Sequence, residues 1–372
     1  MARKSKKYYK VLYFMVCFVM FAIGLLTGFS AYAVTTIKSD KLVFAGSDLQ
    51  IHFLELGNIN AGDCVYIKAG DNDILVDAGS KSTSLPTIKT YLDNFVEDGV
   101  LEYAIVTHAH KDHYACFASS DSIFDYYKIG TLIQFSQTNN ENSTMYKDYV
   151  DNVKEEERLD GMVTYTAKEC VEETNGAQKT YELAKGISLT ILDSLYYHEE
   201  SEDENNHSVC FLLSHGDNHY LFTGDLEKEG EEELVKRNDL PKCVLYKAGH
   251  HGSKTSSSEA LLSVIDPDYV VVTCVAGSVE YTDILDNTFP TQQFVNRVSK
   301  YTEYVYVTTV AEIELKQGET DDYDNVSYTS MNGNIVVYSD SSDVKFEFSN
   351  NDTILKNTDW FKEYRDCPDE WK

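Results

Sequence analysis

The sequence predicts an α/β (α+β) fold in which two β-sheets pack face to face with helices on the outside. Three observations carry this. From about Asp48 the chain runs strand after strand before its first amphipathic helix, and a second stretch of strands, beginning near Ile187, passes into alternating helices and strands. The chain has 372 residues, 42% of them hydrophobic and 25% charged, which is the composition of a globular protein able to bury a large core.

The N-terminal segment is read first. "MARKSKKYYK" carries Arg3, Lys4, Lys6, Lys7 and Lys10 without an acid, and residues 11–29, "VLYFMVCFVMFAIGLLTGF", form an apolar run of bilayer-spanning length. "AYA" at 31–33 offers small residues for signal-peptidase cleavage before Val34. Residues 1–33 are therefore expected to be a signal peptide or, uncleaved, an N-terminal membrane anchor. Either places the rest outside the cytoplasm, secreted or anchored to the cell membrane. A single large domain is expected over 34–350, with a C-terminal tail at 351–372.

Short β-rich runs "LQIHFLEL", "CVYIKAG" and "NDILVDAG", separated by Gly, Asn and Asp, predict an antiparallel meander. "LPTIKTYLDNFVEDG" places Leu85, Ile88, Leu92 and Phe95 or Val96 at helical spacing and stops at Gly99. "LEYAIVTH" is a buried strand. Residues 118–205 are polar and weakly periodic apart from a helix at "STMYKDYVDNVKEEERL", and are expected to be an insertion over the site. Strands return with "ISLTILDS", "HSVCFLLSHG" and "HYLFTGD". An acidic helix, "LEKEGEEELVKR", leads to the strand in "KCVLYKAGHHGSK". Helix and strand then alternate through "SSSEALLSVIDP", "DYVVVTCV", "TQQFVNRVSK" and "TEYVYVTT", before "NGNIVVYS" and "VKFEFS" resume β.

A formal charge of -29 argues against a broad basic nucleic-acid surface, because such binding rests on Lys and Arg neutralising phosphates. Of eight cysteines, Cys17 lies in the apolar segment and the other seven show no spacing motif. Mostly free thiols are expected, with room for one or two bridges.

"AIVTHAHKDHYACF", residues 104–117, holds three of the ten histidines. His108 and His110, two apart on extended chain, point to one side and can share a metal ion, while Asp112 and His113 follow where a turn can aim them at a second. Two further strand ends carry ligands: Asp225 closes "LFTGD", and His250 and His251 lie in "AGHHGSK". Alone, an Asp after Gly is usually a turn residue and a single His a satisfied polar group. Three strand ends bearing nitrogen and oxygen donors predict a metal centre.

This arrangement resembles the metallo-β-lactamase superfamily over nearly all of residues 48–340, through "DILVDAG", "THAHKDH" and "FTGD". The subgroup it looks most like is the hydrolase domain of ComEC-type competence proteins, through "NNHSVCFLL", "YLFTGD" and "GHHGSKTSSSEALL". The resemblance implies a four-layer αββα sandwich binding one or two divalent ions, Zn²⁺ or Mn²⁺. By position, His108 and His110 would hold one ion, Asp112, His113 and His250 the other, and Asp225 both, with Asp77 bracing the loop.

The chain departs from the pattern at "ENNHS", where many members carry a histidine ligand and where Asn205, Asn206 or His207 could substitute. "YAC" replaces Gly-Gly after the signature, and Phe289-Pro290 stands where the subgroup has His-Pro.

The function expected is an exported metal-dependent hydrolase of phosphodiesterase or nuclease type, using hydroxide generated at the ions. Asp112 would accept a hydrogen bond from water, His251 would protonate the leaving oxygen, and Lys254 would contact a phosphate. The partner is then a small or polymeric phosphoester. The alternatives are a phosphorylcholine esterase acting on cell-wall polymer, a weaker β-lactamase reading, and a non-catalytic surface binding module. Oligomeric state is not legible in the sequence.

Overall fold

Strand β1 (Leu49–Phe53) opens a computed structural model that describes residues 48–316 and 323–372. It is followed by β2 (Val65–Ala69), β3 (Asn72–Val76), helix α1 (Leu85–Leu92), β4 (Val100–Val106), α2 (Lys111–Ala118), β5 (Lys128–Gln134), α3 (Thr144–Leu159), β6 (Val163–Thr166) and α4 (Ala167–Glu172). The second run comprises β7 (Thr180–Ala184), β8 (Ile187–Ile191), β9 (Phe211–His215), β10 (Asn218–Phe222), α5 (Lys228–Arg237), β11 (Leu245–Lys247), α6 (Glu259–Ile265), β12 (Tyr269–Ala276), α7 (Gln292–Val298), β13 (Val305–Leu315) and β14 (Tyr323–Ser330). Strands β15 (Ile335–Ser339) and β16 (Val344–Phe348), then α8 (Asp359–Tyr364), complete the chain.

The strands form two eight-stranded sheets, ordered β16-β15-β1-β2-β3-β4-β5-β6 and β14-β13-β12-β11-β10-β9-β8-β7. In each, antiparallel strands lead into parallel ones: pairing turns parallel at β3–β4 and at β10–β11. The side-chain period of two sorts each strand between two layers. Leu49, Ile51 and Phe53 face the gap between the sheets, where Phe53 stacks on Phe222 and Phe222 on Phe211, with ring centroids 6.1 and 4.6 Å apart. From the opposite face of β1, His52 meets Tyr91 of α1 and Phe95 beyond it.

Leu221, Tyr246, Val270 and Val272 point away from the gap and meet Leu234, Leu261, Leu262, Phe294 and Val295 of α5, α6 and α7. The result is the expected αββα order of layers. Each buried Leu, Val or Phe of these interfaces contributes about 1.5–3 kcal/mol.

Three expectations are revised or completed. Residues 118–205 are not an insertion: they supply β5 and β6 to one sheet and β7 and β8 to the other. Their weak periodicity reflects short strands and a helix, α3, that buries only Tyr149, Val153 and Glu156. Residues 351–372, expected as a C-terminal tail, pack on the second sheet, with Leu355, Trp360, Phe361 and Trp371 buried in its outer core. The seven described cysteines are free thiols, and only Cys367 is not buried. The predicted export segment, 1–33, lies outside the described residues, and among the described residues no helix is long and apolar enough to cross a membrane.

Candidate metal centre

The site collects where β3, β4, β10 and β11 end, at the carboxyl ends of parallel strands, the usual location for ligands in such sheets. Asp77, just past β3, has φ of 55°. Its carboxylate accepts from the Thr107 backbone N–H and hydroxyl, each at 2.8 Å, and lies 2.8 Å from His113 Nδ1. Asp77 therefore braces the loop after β4 as the resemblance implied. Gly79 is required beside it, because a β-carbon there would collide with the Asp112 carbonyl.

After β4 the chain bends at Ala109, is extended at His110 and then turns into α2, whose first turn carries Asp112 and His113. His108 Nε2 and His110 Nδ1 approach to 3.0 Å, so the two rings do meet on one side. The peptide between them is held at both polar ends. Ala109 N–H donates to Glu204 at 3.0 Å, and Ala109 C=O accepts from Asn140 at 2.8 Å.

From the second sheet, Gly224 (φ 53°) turns the chain so that Asp225 N–H donates to Ser208 Oγ at 3.0 Å and the carboxylate faces His113, with Oδ2 3.2 Å from Nε2. A β-carbon at Gly224 would sit 2.8 Å from that serine oxygen. His250 and His251 both adopt left-handed φ, 49° and 52°, a conformation that costs non-glycine residues about 1–3 kcal/mol and clusters at functional sites.

That turn separates them. His251 is fully buried, its Nδ1 2.8 Å from the Thr273 carbonyl and its Nε2 3.3 and 3.6 Å from Asp112 and Asp225 oxygens. His250 is part-exposed and presents Nδ1 to Thr255 Oγ1 at 3.3 Å and to Glu227 at 3.7 Å.

Three ligand groups form among the described residues: His108, His113 and Asp225; Asp112, His113 and His251; and Asp63, Asp77 and His113. Five of the predicted ligand and catalytic residues thus converge. His110 lies beside the first group, and His250, expected on the second ion, lies outside all three, whereas His251 is a member of the second. His207 is buried with its Nδ1 unpartnered, but belongs to no group. Asn206 is committed to the Glu227 backbone and Ser201. The Asn205 Oδ1 is buried without a hydrogen-bond partner.

Sequence reasoning missed the support under these groups. Lys247, 3% exposed, forms an ion pair with Asp63, and the Thr273 hydroxyl donates to the same carboxylate. A lysine inside the apolar strand "VLYKAG" was the available signal.

Burial would lower the Lys247 ammonium, but the Asp63 and Asp225 carboxylates outweigh it and raise the pKa. The same contest, won by Asp225, Asp63 and Asp112, pushes His251 up to about 9. His113 rises well above its ordinary value against burial, through Asp225 and Asp77. His108 falls well below it, through burial and the neighbouring His113. Asp112 and Asp225 are held well below the carboxylate range despite burial, Asp112 by His251 and His113, Asp225 by His113 and His251.

Buried carboxylates therefore meet buried cationic imidazoles, which divalent ions would replace with release of protons. His113 Nε2, His251 Nε2 and Asp225 Oδ1 are buried with no hydrogen-bond partner, and this mixed nitrogen and oxygen set fits Zn²⁺ or Mn²⁺.

Residues 199–274, which include Asp225, His250 and His251, match the Metallo-beta-lactamase superfamily. ComE operon protein 3 of Bacillus subtilis is 28% identical over 178 residues, 46% of this chain and 20% of that protein. Recombination protein 2 of Haemophilus influenzae is 42% identical over 69 residues, 18% of this chain and 8% of that one. The matches thus span a fifth or less of these relatives. Among solved structures, the metallo-beta-lactamase fold protein YhfI from Bacillus subtilis aligns at TM-score 0.41 and 11% identity, over 71% of this chain and 97% of that one.

Proposed function

We propose that this chain, whose residues 199–274 match the metallo-β-lactamase superfamily and which is similar to ComEC-type competence proteins, is an exported phosphodiesterase holding one or two Zn²⁺ or Mn²⁺ ions. The observation that carries the reading is the paired anchoring of two imidazoles. With Nδ1 of His113 on Asp77 and Nδ1 of His251 on the Thr273 carbonyl, the ring protons are fixed there and both Nε2 atoms are left for a ligand.

When bound, such ions supply Lewis acidity and make water nucleophilic at neutral pH. The chain's own groups do the rest. His108, His113 and Asp225 hold one position, with His110 beside them; Asp112, His113 and His251 surround the other. Asp112 keeps a partly open position at the mouth and can accept a hydrogen bond from an attacking water. His251, buried among ligands, is assigned to holding an ion rather than to protonating the leaving oxygen. Lys254, expected on a phosphate, donates to Asn287 Oδ1 at 3.0 Å at the rim.

Elemental analysis of purified protein should find zinc or manganese, and bis(p-nitrophenyl) phosphate should turn over in a chelator-sensitive way. Asp225→Asn and His251→Gln should lose both metal and turnover while remaining folded. Preferred turnover of p-nitrophenyl phosphorylcholine or nitrocefin would reassign the substrate. Metal binding with no ester turned over would leave a binding module.

A further inference from the structure

One wall of the metal pocket is aromatic and unassigned by anything above. The loop from Gly277 to Pro290 leaves β12 at the ligand end of the sheet. It is pinned at both ends: Gly277 N–H donates to the Phe289 carbonyl at 2.8 Å, and the Arg365 guanidinium donates to the carbonyls of Thr288 and Pro290 at 2.7 and 3.0 Å. Between the pins, Ser278 Oγ donates to the Ile59 carbonyl at 3.0 Å, and Glu280 accepts from Ala61 N–H at 3.0 Å.

This fixed frame presents Tyr281, 53% exposed, with its hydroxyl donating to Asp112 Oδ2 at 2.9 Å. The Tyr281 ring lies 6.0 Å from that of Phe289, which lies 5.5 Å from His250 and 6.0 Å from His251. Charged groups nearby are engaged, Lys111 with Glu280 at 3.9 Å and Lys254 with Asn287.

We propose that Tyr281 and Phe289 form a subsite for a flat aromatic or heteroaromatic substituent of the ester, so that the preferred substrates are aryl or nucleoside phosphodiesters. The inference rests on the phosphodiesterase reading and names its substrate class. The hydroxyl bond to Asp112 fixes the Tyr281 ring beside the reacting position. An exposed, pre-positioned ring loses little freedom when a planar group stacks on it. The two rings, 41° apart in tilt, make a single wall rather than a box closed around a cation.

The test is equilibrium binding to the metal-loaded full chain, with thymidine 5′-monophosphate, methyl phosphate and phosphorylcholine as probes. Wild type should bind the nucleotide about 5- to 100-fold more tightly than methyl phosphate, the range for one base stacked on an aromatic side chain. Tyr281→Ala and Phe289→Ala should bring that ratio towards one, and Tyr281→Phe, which keeps the ring but loses its tether to Asp112, should fall between them and wild type. A ratio of one in wild type, a ratio unchanged in both alanine variants, tighter binding of phosphorylcholine, or no nucleotide binding at all would overturn the subsite. Nucleotide preference without phosphodiester turnover would sink the hydrolase reading and leave the subsite standing; turnover with no preference would do the reverse.

Discussion

Asp77 decides how well the first sheet's ligands are aimed, because one carboxylate orders both Thr107 and His113. In Asp77→Asn an amide NH₂ would confront groups that are themselves donors. Zinc affinity should fall about 10- to 100-fold, as for other residues that orient metal ligands, and competition with a chromophoric chelator would measure it. Lys247→Met should be costlier to the fold, since it strands Asp63 in the interior. A loss of about 3–5 kcal/mol in urea unfolding of the metal-free protein is expected. At this scale the sequence disclosed the donor types but not which of two adjacent histidines would face inward. His250 and His251 differ only through consecutive left-handed backbone angles, and no side-chain pattern encodes those.

Among the elements, the junction between β3 and α2 is the tightest. Gly79→Ala would drive a methyl group into the Asp112 carbonyl, so the first turn of α2 must shift. About 1–3 kcal/mol of stability should be lost, together with most metal affinity, and calorimetry with metal titration would separate the two. Strand β1 carries a pH-dependent packing contact of its own. Burial pushes the His52 imidazole from 6.5 down to about 3, so between those values the unfolded chain binds a proton that the folded chain excludes. Its contribution is complete above pH 6.5 and declines as pH falls through that window. Replacing it in His52→Gln should flatten the dependence of unfolding free energy on acid by up to about 1.4 kcal/mol per pH unit. The first strands were legible as β-rich runs between Gly, Asn and Asp, and α1 from the spacing of its apolar residues and its stop at Gly99. By contrast β5 to β7 were hidden, because edge strands such as β6 and β7 keep polar residues on their open sides.

For the molecule as a whole, the last residues are part of the second sheet's cover. Trp360→Ala should cost about 3–5 kcal/mol in urea unfolding. Arg365 lies over the Trp360 ring, 4.6 Å from its centroid, and also grips the loop bearing Phe289, so the same variant should loosen the pocket wall.

The centre is divided between two sheets: Asp77 and His108 to His113 belong to one, Asp225 and His251 to the other. On the proposed reading both sheets must be in place before an ion is held firmly, and the first sheet includes β15 and β16, which follow His251 in the chain. Metal capture would thus report that the two sheets have come together. A truncated product, or two fragments kept apart, would hold scattered donors too few to compete for zinc, and mixing the fragments should restore uptake only as they reassemble.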